Sequence, residues 1–218
     1  SPSWTMLEAA GAVLKEVPFR GEAGLRSRVL GMSRVTLRLP DVEQCMSNVL
    51  ARLRRLPRAR PWLSLALAVL AVEVVGASGA IFTARGLATW YGTLEQPALA
   101  PPNWVFAPVW TTLFALLGVA VWLVWREVDA AAPTGRRARL ALGIFVGHFA
   151  VNLAWSLAFF GLQSTDLGLA VIALLWALIV LTIWAFNRVD RRAAVLLVPY
   201  LLWVSFAAYL NYQFWVLN

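Results

Sequence analysis

Five stretches of about twenty apolar residues constrain this chain more than any other feature. They run Trp62–Ala84, Trp104–Trp125, Leu140–Phe160, Leu167–Phe186 and Ala194–Leu217. An α-helix of about 20 residues crosses a hydrocarbon core of about 30 Å. None of the stretches shows the two-residue alternation of a barrel strand. The sequence therefore predicts an all-α, polytopic membrane protein, a bundle of five transmembrane helices. Composition agrees: 61% of the residues are hydrophobic and 14% charged, too apolar a balance for a water-soluble domain.

The charges between the stretches predict an orientation. Arg52, Arg54, Arg55, Arg58 and Arg60 precede span one; Arg126, Arg136, Arg137 and Arg139 separate spans two and three; Arg188, Arg191 and Arg192 separate spans four and five. A five-span chain puts all twelve on one side and only Arg85 on the other. By the positive-inside rule the N-terminus is cytoplasmic and the C-terminus outside, a pattern that suits a bacterial inner membrane. The net charge of +8 is thereby explained as topology, and no nucleic-acid partner is expected.

Residues 1–61 differ from the rest. They hold eleven of the nineteen basic residues, scattered Gly and Pro, and no long apolar run. The expectation is a poorly ordered basic extension, with a short amphipathic piece at Val49–Leu56, joined to a membrane domain over 62–218. It lacks the apolar core and small-residue cleavage site of a secretory signal. Met46 would serve as a natural start for a membrane protein. Cys45 and His148 are the only cysteine and the only histidine. A disulfide framework, a cysteine metal site and a multi-histidine metal site are all excluded within one chain.

Several helix faces carry polar or aromatic residues. In span three His148, Asn152, Trp155 and Phe159 share one face. An imidazole and an amide are costly in lipid, so that face should point inward. It serves either a neighbouring helix or a cavity. In span five Tyr200, Trp203, Ala207, Asn211 and Phe214 share a face, and Pro199 should kink the helix one turn in. Span two starts at Asn103, a plausible N-cap after Pro101–Pro102, and shows Trp110, Phe114, Leu117 and Val121 on one face. Such stripes serve core packing more often than ligands. Three of them under a Trp- and Pro-rich loop, "WYGTLEQPALAPPNWVFAPVW" from Trp90 to Trp110, favour a pocket for a flat apolar ligand. Span three also has a small-residue seam, Gly143, Gly147, Ala150, Ala154 and Ala158, read as a homodimer contact or an intrachain one. Gly76 and Gly79 form a weaker version in span one. Glu73, near the middle of span one, is a functional candidate because it is an intramembrane acid. There is no nucleophile–base–acid set, no phosphate-cradling glycine loop and no paired carboxylate.

The stretches "WYGTLEQPALAPPNWVFAPVWTTLFALLGVAVWLVWRE", "NLAWSLAFFG" and "PYLLWVSFAAYLNYQFW" resemble the tryptophan-rich sensory protein family, also called the translocator protein or peripheral benzodiazepine receptor family (TspO/MBR). The resemblance covers about Trp62–Asn218. It implies a five-helix bundle, usually dimeric, whose pocket opens toward the first loop and binds porphyrins, sterols and synthetic isoquinoline or benzodiazepine ligands. No resident cofactor is required; porphyrin or haem enters as the ligand. Trp90 and Tyr91 match the loop pair over the pocket. Pro97, Pro101, Pro102 and Trp104 match the entry into span two. Trp110, Asn152, Trp155, Trp203, Phe206, Ala207 and Leu210 match pocket-lining positions. With Phe106 and His148 added and Pro101 and Pro102 left out, these give the candidate ligand-binding set. In some bacterial members the tryptophans matching Trp110 and Trp203 are implicated in light- and oxygen-dependent porphyrin breakdown, which makes them the candidate catalytic pair.

The sequence departs from the family at Gln96 (often Lys), Leu99 (often aromatic) and His148 (often Gln), and no basic residue follows Tyr212. His148 could add an axial contact to a metalloporphyrin. Family members also occur in outer membranes. Three functions stay open: a tetrapyrrole-binding receptor or transporter, a porphyrin-degrading enzyme, and a dimeric structural protein.

Overall fold

The structure, a computed structural model, describes residues 39–218. Helix α1 spans Leu39–Ala59, α2 Pro61–Ser78, α3 Ala80–Thr89, α4 Phe106–Trp125, α5 Thr134–Ser156, α6 Thr165–Asn187, α7 Arg191–Leu196 and α8 Val198–Leu217. No strand occurs among the described residues. Among the described residues, five helical segments are long and apolar enough to cross a membrane. They comprise α2 with α3, then α4, then α5, then α6, and finally α7 with α8. Residues Met46–Asn218 form one compact unit.

Most limits fall within a turn of those expected, and the departures have physical reasons. Span one is longer, because helix continues through Ile81–Thr89 after a one-residue break at Gly79. Span five is broken at Leu197 rather than bent. Pro199 cannot donate to the carbonyl of Val195, so α7 closes with a three-residue bond from the amide of Leu197 to the carbonyl of Ala194 at 3.2 Å. Asn103 does not cap span two: a 3₁₀ turn over Asn103–Val105 comes first, and no side chain caps it. Ser164 does cap span four, accepting from the amide of Leu167 at 3.2 Å. Part of the poorly ordered extension also needs correction. Residues 39–59 form one helix that contains the expected Val49–Leu56 piece. The run "VLARLRRL" is made largely of strong helix formers. The remainder of the extension, residues 1–38, lies outside the described residues.

Packing closes the spans into a ring in the order one, two, five, four, three. α2 lies on α4, α4 on α7, α7 and α8 on α6, and α6 on α5. The ring is closed by α3 against a π turn at Leu157–Gly161, which extends α5. Small residues decide the tightest contact. Ser64, Ala68, Val72 and Gly76 are the buried stripe of α2. A Cβ on Gly118 of α4 would stand 2.5 Å from Cα of Val69, and the Phe114 ring lies over Gly76. Trp122 Nε1 donates to Ser64 Oγ at 3.0 Å. Gly76 is thus used within the chain, not between chains.

The outer surface is what hydrocarbon requires. Leu67, Leu70, Val74, Leu174, Val180 and Leu202 are exposed around the bundle. Tryptophans mark both ends. At the arginine-rich end Trp62 is 82% exposed, and Arg126 and Arg188 lie over the rings of Trp122 and Trp184 at 4.8 and 4.7 Å. At the other end Trp104 and Trp215 face outward. Aromatic belts of this kind sit at headgroup level.

Candidate ligand-binding site

The loop after span one is built as a cover. A 3₁₀ turn at Tyr91–Thr93 follows α3. Tyr91 is buried, with its ring 5.1 Å from Phe214 and 5.9 Å from Phe160. Trp90 meets Phe159 edge-on at 5.4 Å. Gln96 Nε2 donates to the carbonyl of Tyr91 at 2.8 Å, holding the loop back over its own turn. Pro97 is buried, while Leu99 is exposed. The amide of Glu95 donates to the Asn218 side chain at 2.8 Å, tying the loop to the end of α8.

Between α3, the start of span two and the end of span three, with no residue of the cover in its wall, lies a recess of about 310 Å³, at the small end of ligand pockets. It is walled by Glu73, Gly76, Gly79, Ala80, Thr83 and Leu87 from span one. Asn103, Phe106, Trp110 and Phe114 come from span two, and Asn152, Trp155, Ser156 and Phe160 from span three. A second recess of about 30 Å³ lies among Tyr91, Phe106, Trp155, Phe160, Ala207 and Leu210. Phe106, Trp155 and Phe160 are the partition between the two.

A polar chain runs behind the rings. Trp155 Nε1 donates to Asn211 Oδ1 at 3.2 Å, and Asn211 Nδ2 donates to the Thr165 carbonyl at 2.8 Å. The Tyr200 hydroxyl donates to Asn152 Oδ1 at 3.0 Å. That bond fixes the Asn152 amide with its oxygen engaged and its NH₂ available to the cavity that it lines. Tyr200→Phe should leave the buried oxygen unpaired. The expected cost is about 1–3 kcal/mol, read as a lower thermal midpoint in detergent; an unchanged midpoint would show that the bond does not hold Asn152.

The decisive observation is the span over which the sequence matches known relatives. The TspO/MBR family profile matches residues 68–216. The chain belongs to the TspO/MBR family. It is 43% identical to the tryptophan-rich protein TspO of Chlorobaculum tepidum over 156 residues, covering 72% of this chain and 96% of the relative. It is 34% identical to the translocator protein of Bos taurus, covering 72% and 91%. Against the tryptophan-rich sensory protein of Cereibacter sphaeroides the identity is 36%, covering 59% and 77%. As a TspO/MBR protein with five spanning helices, the chain is an integral, multi-pass membrane protein.

Within this TspO/MBR fold the expected site residues divide into groups. Phe106, Trp110, Asn152 and Trp155 line the larger cavity, and Tyr91, Ala207 and Leu210 the smaller recess. Trp90 and Pro97 belong to the cover and line neither. Trp104 does not face the pocket; it is 75% exposed at the outer end. Trp203 packs on Phe106 at 6.2 Å and on Phe206 at 5.8 Å, so Trp203 and Phe206 stand behind the recess wall. The candidate catalytic pair, Trp110 and Trp203, is therefore not together on one cavity.

His148 needs correction most. It shares a helix with Asn152 but is fully buried one turn deeper, among Phe145, Phe149 and Tyr200. The hydroxyl of Thr182 spends its proton on the Leu178 carbonyl at 2.7 Å. Thr182 Oγ1 therefore accepts from His148 Nδ1–H at 3.3 Å, leaving Nε2 without a partner. That nitrogen is enclosed by rings, so an axial contact to a metalloporphyrin is not available.

The seam divides as well. Gly143, Gly147, Ala150 and Ala154 are exposed, whereas Ala158 is buried, because the wider π turn shifts the register of the helix. What the sequence reading missed is the wall from span one. Its signal was the small-residue run "GASGA" beside Glu73.

Proposed function

We propose that this protein binds a flat, mostly apolar ligand, a porphyrin or related tetrapyrrole foremost and a sterol-like molecule second, in the cavity among spans one, two and three. The observation that carries this reading is the cavity wall itself. Phe106, Trp110, Phe114, Trp155 and Phe160 supply aromatic faces, and Glu73, Thr83, Asn103, Ser156 and the NH₂ of Asn152 supply polar points among them. A macrocycle needs more room than either recess alone. Turning the rings of Phe106, Trp155 and Phe160 merges the two, so binding is coupled to movement of the partition and of the cover packed on Phe160.

A regulatory or transport role follows from that coupling, and the names of the relatives, translocator protein and sensory protein, point the same way. In this reading the arginine-rich end is cytoplasmic, the cover lies outside, and the membrane is a bacterial inner membrane. A second copy of the chain is the partner for the outward face of α5 at Gly143 and Gly147, where a Cβ would meet nothing within 4 Å.

The test is a titration of the detergent-purified protein with protoporphyrin, in the dark and then in light. Saturable quenching of tryptophan fluorescence is expected, with the porphyrin absorption band intact in the dark. No saturable quenching would overturn the reading. Loss of the band in light, with a new product, would replace a binding protein by the degrading enzyme.

A further inference from the structure

The helix ahead of span one precedes the family match, which begins at residue 68, and the ligand cavity does not use it. In α1, Met46, Val49, Leu50 and Leu53 recur at the spacing of one helix face. All four are about half exposed, although they are large and apolar. Arg55 and Arg58 fall on the opposite face, and Arg52 and Arg54 flank the stripe. Arg54, Arg55 and Arg58 line an open groove of about 750 Å³ beside Asp129, in the loop between spans two and three. Arg58 pairs with Glu127 of that loop at 3.7 Å. Among the described residues no carboxylate lies within ion-pair distance of Arg52, Arg54 or Arg55.

Arg60 alone separates α1 from α2. Its backbone (φ −141°, ψ 75°) leaves the helical region, as the following Pro61 demands. A helix tethered by one residue to the end of a membrane span starts at the headgroup level, and the Arg58–Glu127 pair holds its last turns against the loop there. There an exposed apolar stripe meets acyl chains and flanking arginines meet phosphates.

We propose that α1 is an interfacial helix that recognises anionic phospholipid, with Met46, Val49, Leu50 and Leu53 in the acyl boundary and the flanking Arg52 and Arg54 on headgroup phosphates. Basic amphipathic helices also dock into grooves of soluble proteins; the one-residue tether to span one decides for lipid. Each free arginine strengthens attraction to an anionic surface about fivefold, and the two together about twenty-five-fold.

The test uses the full chain with Cys45→Ser and Leu53→Cys, labelled at the new thiol with an environment-sensitive dye. It is reconstituted in phosphatidylcholine vesicles, with and without phosphatidylglycerol in both leaflets, so that the direction of insertion does not matter. Dye emission should shift to shorter wavelength, and quenching by brominated acyl chains should rise, when phosphatidylglycerol is present. Arg52→Gln and Arg54→Gln together should abolish that dependence, while the same two changed to Lys should keep it. Emission unaffected by phosphatidylglycerol, or a glutamine variant that responds like its parent, would overturn the proposal.

Discussion

Gly118→Ala is expected to lower the thermal midpoint of the purified protein by roughly 5–10 °C. The added methyl would stand 2.5 Å from Cα and 3.1 Å from the amide nitrogen of Val69. Those are backbone atoms, so no rotamer change relieves the overlap, and α2 as a whole must retreat from α4. Retreat also strains two contacts on either side. The Trp122–Ser64 hydrogen bond lies one turn toward the arginine end. The Phe114 ring over Gly76 lies one turn toward the cavity. Overpacking of this kind costs about 1–3 kcal/mol, occasionally more. Gly92→Ala is the control: it stands in the 3₁₀ turn of the cover, and nothing lies within 4 Å of its Cβ position. Its midpoint should match that of the parent. Equal loss in both variants would mean that glycine flexibility, not close approach, matters.

The second large effect concerns ligand affinity. Trp110→Ala should weaken porphyrin binding roughly tenfold, since one aromatic face against a flat ligand contributes about 0.5–1.5 kcal/mol beyond its buried area. Trp110 lines the larger cavity, where it stacks at a tilt on Phe114 at 5.3 Å and meets Tyr200 edge-on at 6.2 Å. Trp203→Ala should weaken binding less than about threefold, because Trp203 reaches the cavity only through Phe106. Fluorescence titration of both variants reads the difference. A larger loss at Trp203 than at Trp110 would move the site to the far side of the partition.

Much of this architecture is legible in the sequence because a bilayer leaves a chain few options. Backbone groups in hydrocarbon must bond within their own segment, so length and hydropathy suffice to find five helices, and arginines suffice to divide their ends into two sets. Side-chain direction is less legible. The i, i+4 spacing placed His148 and Asn152 on one face correctly, but a face one turn long can meet a cavity at one residue and a helix at the next. What separates them is Tyr200, whose hydroxyl engages Asn152 and whose ring covers His148. That pairing joins spans three and five, and no local pattern reveals it. The π turn at Leu157–Gly161 is equally silent, and it moved Ala158 from the outer seam to the core. Gln96 read as a departure from the family and has a local role, bonding the Tyr91 carbonyl in the cover. The span-one wall was hidden for a simpler reason. Gly76, Gly79 and Ala80 line a cavity by being small, and small residues give no aromatic signal to read.

In this reading the ligand sits among spans one, two and three. A structure of the protein with protoporphyrin bound tests it most directly. The ligand should contact Phe106, Trp110 and Trp155, with the NH₂ of Asn152 at its polar edge, and the rings that part the two recesses should have turned. A porphyrin held instead on Trp203 and Phe206, with the space between Gly76 and Trp110 unchanged, would rule out this site.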